Sequence, residues 1–552
     1  MKVVLLALNA SFTHTSLSAR CIGAVCAEAG FELEVVELNI NEGAEVIAGR
    51  VVVTRPQLLL CSVYIWNRRL MEDVCTRVRL MRPEVVIAWG GPEVSGEGEG
   101  ILARGHADYV VCGEGEEAVL QLICALEQGK PPEAAGIAWQ GGSLPRKESR
   151  QDLDNLPFPY ADEPWTKNKI YYFETSRGCP YNCTYCLSSR EAGVRFMSLC
   201  TAKARLSQMV GKVPLIKFVD RTFNADPQRA RDLWEFLLEL PTETRFHFEV
   251  CAHLLTTADF VLLAERRATR FQFEVGLQSA SPQSLLAVNR YTDAVQVLHT
   301  VRDLVALGTV EVHLDLIAGL PHETLATFLS GLDSALKALP HRLHLGFLKV
   351  LPGTELRRQA EELGMVYLPY APYEVLRTPD MTPTDFLYLK TAAKTLDRYY
   401  NSRQAEQALR YVLRLAKITG SQTLERLSVM GENTVQESAY VALQAHVAEP
   451  EVLKELCRFD YLMHEPHVRV PDMLLGESPQ EERAVRDLVY GDSDRLLVAL
   501  PHRQGDKPGV ILRRLRWGKF NAEACAVLGL PHGGEVLFDH SLPRSTRAIA
   551  VT

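Results

Sequence analysis

Short apolar runs alternate with amphipathic helical stretches twice along this chain, first over residues 1–130 and again from residue 171. The first series has five apolar runs, including "KVVLLAL" and "FELEVVEL", with helical patterns over 15–29, 40–50 and 67–82. Apolar strands of this kind suit a parallel sheet that helices cover on both faces. The pattern therefore predicts an α/β protein that begins with a doubly wound, Rossmann-like parallel sheet.

The second series begins with "YYFETS" and contains six apolar strands separated by helical stretches. Six βα units without a further change of pattern favour a (β/α)6 partial TIM barrel. A stretch rich in Gly, Pro and charge lies between the two series and is typical of a hairpin followed by a linker. After the barrel, the long helical pattern "DFLYLKTAAKTLDRYYNSRQAEQALRYVLRLA" predicts a mainly helical C-terminal domain that ends in a few strands. The predicted boundaries are 1–135 for the first sheet, 136–168 for the linker, 169–384 for the barrel and 385–552 for the C-terminal domain.

Charge and hydropathy exclude several classes of protein. The formal net charge is −8, and no run of five or six like charges suggests nucleic-acid or membrane-surface binding. No stretch has the 18 or more apolar residues of a membrane-spanning helix, and the N-terminus has no signal-peptide cleavage pattern. Thirteen cysteines without a secretory signal indicate metal binding rather than disulfides. We expect a cytoplasmic protein that binds neither nucleic acid nor membrane.

Three cysteines, Cys179, Cys183 and Cys186, follow directly on the first barrel strand in the segment "CPYNCTYC". A TIM-like fold places its active-site loops at this end of the strands. Thiolates suit zinc and iron–sulfur clusters, and three of them can leave one iron of a four-iron cluster open for a substrate. The alternative is a structural zinc site completed by Cys200 or a distant residue.

The CxxxCxxC spacing with an aromatic residue, Tyr185, before the last cysteine resembles the radical S-adenosylmethionine superfamily. The resemblance implies that the three cysteines hold a [4Fe-4S] cluster whose open iron binds the amino and carboxylate groups of S-adenosylmethionine. It further implies reductive cleavage of this cofactor to a 5′-deoxyadenosyl radical, with Tyr185 near the adenine.

Later strand motifs are similar to the coproporphyrinogen-dehydrogenase branch of that superfamily. They are "FEV" with Glu249, "VGLQSASPQSLLAVNR" with Gln278 and Arg290, and "DLIAGLPHET" with Asp315. By resemblance these residues hold the methionyl and ribose parts of the cofactor, as their hydrogen-bonding chemistry permits. The alternative is that Arg290 and Asp315 are structural ion-pair partners.

One motif departs from the family pattern. The family has a glycine-rich turn after the second strand, where this chain has "FVDRTFN" with Asp220 and Arg221. Charged side chains there could contact the amino group or a substrate, whereas the backbone contact of the glycine-rich turn is not implied for this chain. The segment "LKVLPGTEL" resembles the sixth-strand loop and would place Lys349 on the adenosine side.

A βαβ domain before such a barrel resembles the cobalamin-binding module of cobalamin-dependent radical enzymes. The resemblance implies that the cobalamin nucleotide lies along the carboxyl ends of the strands, against small residues. The matching positions are Ser62, Gly90, Gly91, Gly113 and Gly115, with Tyr64 and Trp66 either under the corrin ring or in the core. His14 lacks the DxHxxG spacing of a cobalt ligand, so we expect a solvent or loop histidine rather than a ligand.

Four further cysteines could in principle hold a second cluster, as in methylthiotransferases. Their contexts, two strand ends and helical stretches, favour buried apolar thiols instead. These residues are Cys21, Cys61, Cys75 and Cys112.

The combined motifs favour a cobalamin-dependent radical S-adenosylmethionine enzyme, most plausibly a methyltransferase acting on an unactivated carbon. Two alternatives stay open: a cobalamin-containing radical enzyme that catalyses rearrangement or oxidation, and a non-catalytic cobalamin or redox sensor. The family resemblance implies a one-electron donor such as flavodoxin or ferredoxin. No motif identifies a catalytic acid or base, nor the substrate, which could be a small molecule or a peptide.

Overall fold

The structure, a computed structural model, describes residues 1–132, 136–140, 151–161, 163–190, 193–431, 433–465, 469–475, 481–491, 493–531 and 534–550. The chain divides into two compact units. The first unit contains Met1–Leu325 and Gly346–Phe386, and the second contains Ala326–Leu345 and Leu387–Thr552. The domain boundaries predicted at 135, 168 and 384 stay predictions.

The first unit begins with a six-stranded sheet covered by helices. The strands are β1 Val3–Asn9, β2 Leu33–Asn39, β3 Leu58–Ser62, β4 Val86–Gly90, β5 Tyr109–Val111 and β6 Ile137–Trp139. The helices are α1 Leu17–Glu28, α2 Ala44–Val53, α3 Arg68–Met81, α4 Gly98–Ala103 and α5 Gly115–Glu127. The strand order is β2-β1-β3-β4-β5-β6, and all pairings are parallel except that between β5 and β6.

The buried central strand explains why this sheet is doubly wound. All seven residues of β1 are buried. Val4, Leu6 and Leu8 pack on the side of α2 and α3, while the alternate residues pack on the side of α1 and α5. A strand buried on both faces needs apolar residues at every position. The predicted Rossmann-like parallel sheet is therefore confirmed.

The predicted linker adds a strand to this sheet. Part of it, β6, pairs antiparallel with β5 and closes the edge of the sheet. Residues 133–135, 141–150 and 162 lie outside the described residues, so the predicted hairpin is described only in part.

The predicted barrel strands and their helices lie in the second part of the first unit, except that residues 326–345 belong to the second unit. The strands are β7 Tyr171–Phe173, β8 Ser176–Cys179, β9 Gly193–Phe196, β10 Leu215–Phe218, β11 Arg245–Val250, β12 Phe271–Gln278, β13 Glu311–Ala318, β14 Arg342–Phe347, β15 Val366–Tyr367 and β16 Val375–Arg377. The helices are α6 Leu199–Met209, α7 Pro227–Glu239, α8 Thr257–Leu263, α9 Pro282–Ala287, α10 Ala294–Ala306, α11 Leu325–Lys337 and α12 Glu355–Gln359.

Parallel pairing joins β7, β10, β11, β12 and β13 in that order. The end of β14 adjoins β13, since the amide that follows it, on Leu348, donates to the Ala318 carbonyl at 2.9 Å. These six strands follow the predicted order of the partial barrel. The hairpin of β8 and β9, which carries the cysteine segment, was not predicted.

Alternation along β12 explains the character of the barrel interior. Phe271, Phe273, Val275 and Leu277 are buried, whereas the alternate positions are only half-buried. Successive side chains of a strand point to opposite faces. The apolar face packs with residues such as Trp234 of α7, and the other face lines the barrel with polar side chains. The interior is thus suited to binding rather than to forming a dry core.

The second unit is mainly helical, as predicted. Its helices are α13 Pro383–Thr395, a π-helix Leu396–Asn401, α14 Glu406–Leu415, α15 Gly420–Ser428, α16 Val435–Leu443, α17 Pro450–His464, α18 Glu481–Gly491, α19 Ser493–Ala499, α20 Pro508–Leu512 and α21 Ala522–Leu528. The first residues of α13 belong to the first unit. Three strands, β17 Leu515–Lys519, β18 Glu535–Asp539 and β19 Ala548–Ala550, form an antiparallel sheet near the C-terminus.

The predicted long helix after the barrel is wrong in one respect, because it is broken between α13 and α14. The π-helix ends at Asn401, whose side chain accepts from the Leu343 amide and donates to the Leu343 carbonyl, both at 2.9 Å. Arg403 then adopts a positive φ of 59°. A side chain that pairs with a distant backbone segment in this way competes with helix continuation.

None of the helices in the described part of the chain combines the length and the hydropathy needed to cross a membrane.

Candidate functional site

The three cysteines lie on a loop that begins at the end of β8. Cys179 is the last residue of that strand, and Gly178 before it has a φ of +97°. A Cβ at Gly178 would collide with the Gly193 carbonyl of β9, so glycine permits this hairpin. Two backbone bonds hold Thr184, in the middle of the loop: its amide donates to Val288 at 3.0 Å and its carbonyl accepts from Leu356 at 2.9 Å. The cysteines are therefore presented by an anchored segment.

The surroundings of the thiols suit an iron–sulfur cluster better than zinc. Zinc–sulfur bonds of about 2.3 Å would place the sulfurs about 3.8 Å apart. Among the residues that the structure describes, no three thiol sulfurs lie within 4.8 Å of one another. Cys200, the proposed fourth zinc ligand, is exposed on α6. Burial raises the pKa of the Cys183 thiol, and the Arg290 guanidinium 3.8 Å away opposes this shift. A loop with three separated thiols and a cation fits a multi-iron cluster.

Three of the predicted S-adenosylmethionine residues converge beside this loop. Arg290 donates to the Gly276 carbonyl, and a Cβ at Gly276 would overlap the Gln278 side chain. Gln278 has a φ of +70°, an uncommon conformation for a residue other than glycine. Asp315 is the register partner of Gly276 on β13. Gln278 is the last residue of β12, and Arg290, which follows α9, reaches the same strand through the Gly276 carbonyl.

Several buried polar atoms in this region have no hydrogen-bond partner. They are Thr184 Oγ1, Gln278 Oε1, Arg290 Nε and Glu323 Oε2. Buried polar groups in folded proteins are normally paired. Donors and acceptors left open beside the cysteine loop fit a polar ligand such as S-adenosylmethionine.

Glu323 was missed by the sequence analysis, although it lies in the quoted motif "DLIAGLPHET". Its carboxyl accepts from the Ser279 hydroxyl, and burial raises its pKa to about 7. Tyr185 lies in the cysteine loop itself, where burial raises its phenol pKa. Its predicted position near the adenine stays a prediction.

The two charged residues that replace the glycine-rich turn have different surroundings. Asp220 is 1% exposed. Its carboxylate accepts from the Thr175 amide at 3.0 Å, the Thr175 hydroxyl at 2.5 Å and the Ser176 hydroxyl at 2.7 Å. Asp220 thus holds the connection from β7 to β8 in place. Arg221, in contrast, lines a large cavity.

This cavity has a volume of about 1000 Å³ and lies between the first sheet and the barrel. Its walls include the loops at the carboxyl ends of the first sheet and residues of β10 and β11 of the barrel, among them Glu249. Lys349 also lines it, beyond β14. Such a volume is at the upper end for ligand pockets and fits a large cofactor together with a substrate.

All the predicted cobalamin-binding positions line this cavity, namely Ser62, Tyr64, Trp66, Gly90, Gly91, Gly113 and Gly115. Tyr64 and Trp66 stack with ring centroids 4.3 Å apart. Gly91 has a φ of +108°, and a Cβ there would lie 2.6 Å from the Val63 carbonyl oxygen. Small residues and a flat aromatic pair at the sheet edge fit the predicted cobalamin, since close backbone approach needs glycine.

His14 lies in a loop, as predicted, but it is half-buried and lines the cavity rather than facing open solvent. Its Nδ1 is 2.5 Å from the Tyr172 hydroxyl of β7. Burial, and next the charge of Lys217, lower the pKa of its imidazole. The sequence analysis compared His14 only with the cobalt-ligand motif, and residue spacing could not reveal its contact with Tyr172.

An ionic cluster connects the cavity wall of the first sheet to the cysteine hairpin. Arg177 of β8 contacts Glu114 at 3.1 Å, Glu116 at 2.5 Å and Glu174 at 2.9 Å. Burial raises the pKa of Glu174 to about 7, and Arg177 opposes the shift. Sequence analysis missed these residues, although strand alternation places Glu174 on the inner face of the barrel.

The four N-terminal cysteines considered for a second cluster do not form a cluster site among the described residues. Cys61, Cys75 and Cys112 are buried, and Cys21 is half-buried. The sulfurs of Cys61 and Cys75 lie 3.6 Å apart, and burial raises the pKa of Cys61 well above its usual value. No third thiol joins this pair within 4.8 Å among the described residues.

Comparison with protein families finds matches to three family models. Residues 3–123 match the B12 binding domain, residues 173–334 match the radical SAM superfamily, and residues 361–525 match a protein family of unknown function, DUF4080. A cobalamin-binding domain and a radical S-adenosylmethionine domain therefore follow one another in this chain, as predicted.

Curated relatives include a radical SAM methyltransferase and a methylase. The chain is 26% identical over 400 residues to the cobalamin-dependent radical SAM methyltransferase TokK of Streptomyces tokunonensis, covering 65% of this chain and 57% of TokK. It is 26% identical over 307 residues to the hopanoid C-2 methylase of Rhodopseudomonas palustris, covering 54% of this chain and 56% of the methylase. The chain thus spans little more than half the length of these relatives.

Solved structures show the same fold. The cobalamin-dependent S-adenosylmethionine radical enzyme OxsB, with aqua-cobalamin bound, aligns with a TM-score of 0.60 and 15% identity, covering 83% of this chain and 79% of OxsB. The radical S-adenosylmethionine methyltransferase TsrM from Kitasatospora setae, with cobalamin and a [4Fe-4S] cluster bound, aligns with a TM-score of 0.54 and 16% identity, covering 67% of this chain and 76% of TsrM.

Proposed function

We propose that this chain, which carries a B12 binding domain and a radical SAM superfamily domain, is a cobalamin-dependent methyltransferase that acts on an unactivated carbon. One observation carries the proposal: a single cavity is lined by the cobalamin-binding positions of the first sheet and by the inner face of the barrel. Two cofactors and a substrate could bind next to one another in this cavity, so that the transferred group need not pass through bulk solvent. The curated methyltransferase and methylase among its relatives support methyl transfer as the reaction.

The residues divide into three groups by the ligand that each would hold. Cys179, Cys183 and Cys186 would bind the cluster. The S-adenosylmethionine positions are Tyr185, Asp220, Arg221, Glu249, Gln278, Arg290, Asp315 and Lys349, of which Asp220 acts by positioning Thr175 and Ser176. The small residues at the edge of the first sheet, with Tyr64 and Trp66, would hold cobalamin.

When bound, the cluster and cobalamin would supply one-electron reduction of S-adenosylmethionine and a transferable methyl group. The chain would contribute orientation and the exclusion of water from the cavity. A one-electron donor such as flavodoxin or ferredoxin belongs to the proposal.

The test is anaerobic reconstitution with iron, sulfide and hydroxocobalamin, followed by metal analysis and incubation with S-adenosylmethionine and a strong reductant. We expect about four irons and about one cobalamin per chain. Methyl transfer would yield both S-adenosylhomocysteine and 5′-deoxyadenosine. 5′-Deoxyadenosine without S-adenosylhomocysteine would favour a non-methylating radical enzyme, and neither product would favour a sensor.

Two cysteine variants control this experiment. Cys183→Ala should lose the iron but keep cobalamin, because the two sites use different residues. Cys200→Ala, at an exposed cysteine of α6, should keep both. Loss of cobalamin together with iron in Cys183→Ala would contradict the assignment of separate sites.

A further inference from the structure

Three polar residues form a row across the inner face of the barrel. Lys217 of β10 is the register partner of Tyr172 on β7 and of His247 on β11. All three line the cavity. None of them belongs to a motif by which the chain resembles its family. The row therefore offers a binding surface that the proposed cofactor contacts do not use.

The Lys217 ammonium has no counter-ion in the described part of the chain, where no carboxylate lies within ion-pair distance of it. The charge of Lys217 helps to lower the pKa of the neighbouring His14 imidazole. A half-buried charge loses part of its hydration, and without a partner no ionic interaction compensates for that loss. An anionic ligand in the cavity would supply the missing partner.

His247 supplies a second open atom. This residue is 7% exposed, and its Nε2 is paired with the Glu274 carboxylate at 3.1 Å. Its Nδ1 is buried and has no hydrogen-bond partner. Since Nε2–H donates to the Glu274 carboxylate, the neutral ring leaves Nδ1 as an acceptor. Because buried polar atoms are normally satisfied, this nitrogen indicates a contact with a donor group of a ligand.

His14 and Tyr172 supply a third contact, whichever tautomer the histidine adopts. If the Tyr172 hydroxyl donates to His14 Nδ1, the imidazole keeps its Nε2–H; if Nδ1–H donates to the phenol oxygen, the phenol keeps its O–H. In both cases one donor of the pair stays available. An ammonium and neighbouring donors at one wall form a recognition site for oxyanions.

We propose that Lys217 and the His14–Tyr172 pair bind an anionic group of the substrate, a carboxylate or a phosphate, and that His247 Nδ1 accepts from a neighbouring donor group of the same substrate. This assignment rests on the proposed function, because it makes the cavity the substrate site. The same oxyanion chemistry could come from the cobalamin nucleotide phosphate or the S-adenosylmethionine carboxylate. The experiment therefore measures both cofactors as well as the anion.

The test uses the reconstituted chain with both cofactors and measures [32P]orthophosphate and [14C]acetate binding by equilibrium dialysis. The variants are Lys217→Gln, Lys217→Arg and the control Lys212→Gln. Lys212 precedes the same strand, is exposed and lies 5.5 Å from the Trp165 ring. We expect saturable binding of one probe at about one per chain, weakened about tenfold or more in Lys217→Gln, as for loss of a charged hydrogen bond. Lys217→Arg and Lys212→Gln should retain it.

Three outcomes would overturn the assignment. The first is the absence of saturable phosphate or acetate binding to the unmodified chain. The second is equal binding by Lys217→Gln. The third is loss of cobalamin or S-adenosylmethionine from Lys217→Gln, which would make Lys217 a cofactor residue. Circular dichroism identifies a misfolded variant. If Lys217→Gln misfolds, the affinity of Lys217→Arg for the anion probe is compared with that of Lys212→Gln instead. Failure of the proposed function would appear as low iron content, low cobalt content or no 5′-deoxyadenosine. These three quantities are measured separately from anion binding.

Discussion

The surroundings of Glu249 determine whether its carboxyl group is charged near neutral pH. Glu249 lies within β11 on the face opposite the buried apolar side chains, lines the cavity and has Glu274 as its register partner on β12. Burial raises its pKa to about 7; the charge of Arg221 lowers it, and those of Glu274 and Asp315 raise it further. The carboxyl is therefore neutral below pH 7 and charged above it. Only the charged form is a strong acceptor for an ammonium group.

Replacement of Glu249 by Gln should weaken S-adenosylmethionine binding above pH 7 and flatten its pH dependence. In the unmodified chain we expect the affinity to fall as the pH drops from 8 to 6, because protonation removes the negative charge. Equilibrium dialysis at several pH values measures both effects. Glu243→Gln, at an exposed residue just before the same strand, should behave like the unmodified chain. An unchanged pH profile in Glu249→Gln would remove Glu249 from the cofactor site.

At the scale of elements, the connection after β4 brings the backbone close to the end of β3. The Val63 amide donates to the Gly90 carbonyl at 2.8 Å, and Gly91 then turns with a positive φ against Val63. This turn forms part of the cavity wall. A side chain at residue 91 would face both steric overlap with backbone and an unfavourable φ.

Gly91→Ala should therefore lower both the stability of the first sheet and the cobalamin content. We expect a loss of about 1–3 kcal/mol, as for other strained backbone positions, measured by thermal unfolding without cofactors. Cobalt content after reconstitution gives the second readout. Gly49→Ala is the matched control, since it lies within α2 with open space around a Cβ, and should be neutral or slightly stabilising. Equal stability and cobalt content in the two variants would contradict this role of Gly91.

At the scale of the whole first unit, the contacts that join its sheet to its barrel include two sets beside the cavity. The loop after β1 pairs with the start of β7, since the Ile170 amide donates to the Thr13 carbonyl and the Thr15 hydroxyl donates to the Ile170 carbonyl, both at 2.8 Å. The Arg177 cluster makes the second connection, from β8 to Glu114 and Glu116 at the start of α5. Both sets border the cavity, so they fix the relative position of its walls.

Arg177→Gln should destabilise the first unit far more than loss of an exposed ion pair. The substitution leaves Glu114, Glu116 and Glu174 close together in a partly buried site, and breaking such a pair costs about 3–5 kcal/mol. Arg79→Gln breaks an ion pair with Asp108 whose side chains are 34% and 38% exposed, and should cost about 0–1 kcal/mol. Thermal unfolding compares the two variants; similar midpoints would show that the cluster does not hold the two parts together.

The local sequence pattern was sufficient to predict the strands and helices and to identify the cysteine motif. The strands of both βα series and the small residues at their carboxyl ends could be predicted because alternation, burial on two faces and loop composition are properties of neighbouring residues. The cysteine spacing and the strand motifs are local in the same sense. Cys179, Cys183 and Cys186, as well as Gly90 and Gly91, were identified in this way.

Tertiary structure decided what depends on residues far apart in the chain. Strand register aligns Tyr172, Lys217 and His247 from three separate βα units, and no single segment contains that information. The burial of Asp220 against Thr175 and the helix break at Asn401 likewise follow from long-range hydrogen bonds. Sequence by itself determined the elements and the candidate cofactor ligands, because these depend on local periodicity and spacing. The cavity and its unpaired charge came only from packing the barrel against the first sheet, because packing sets which polar groups find partners.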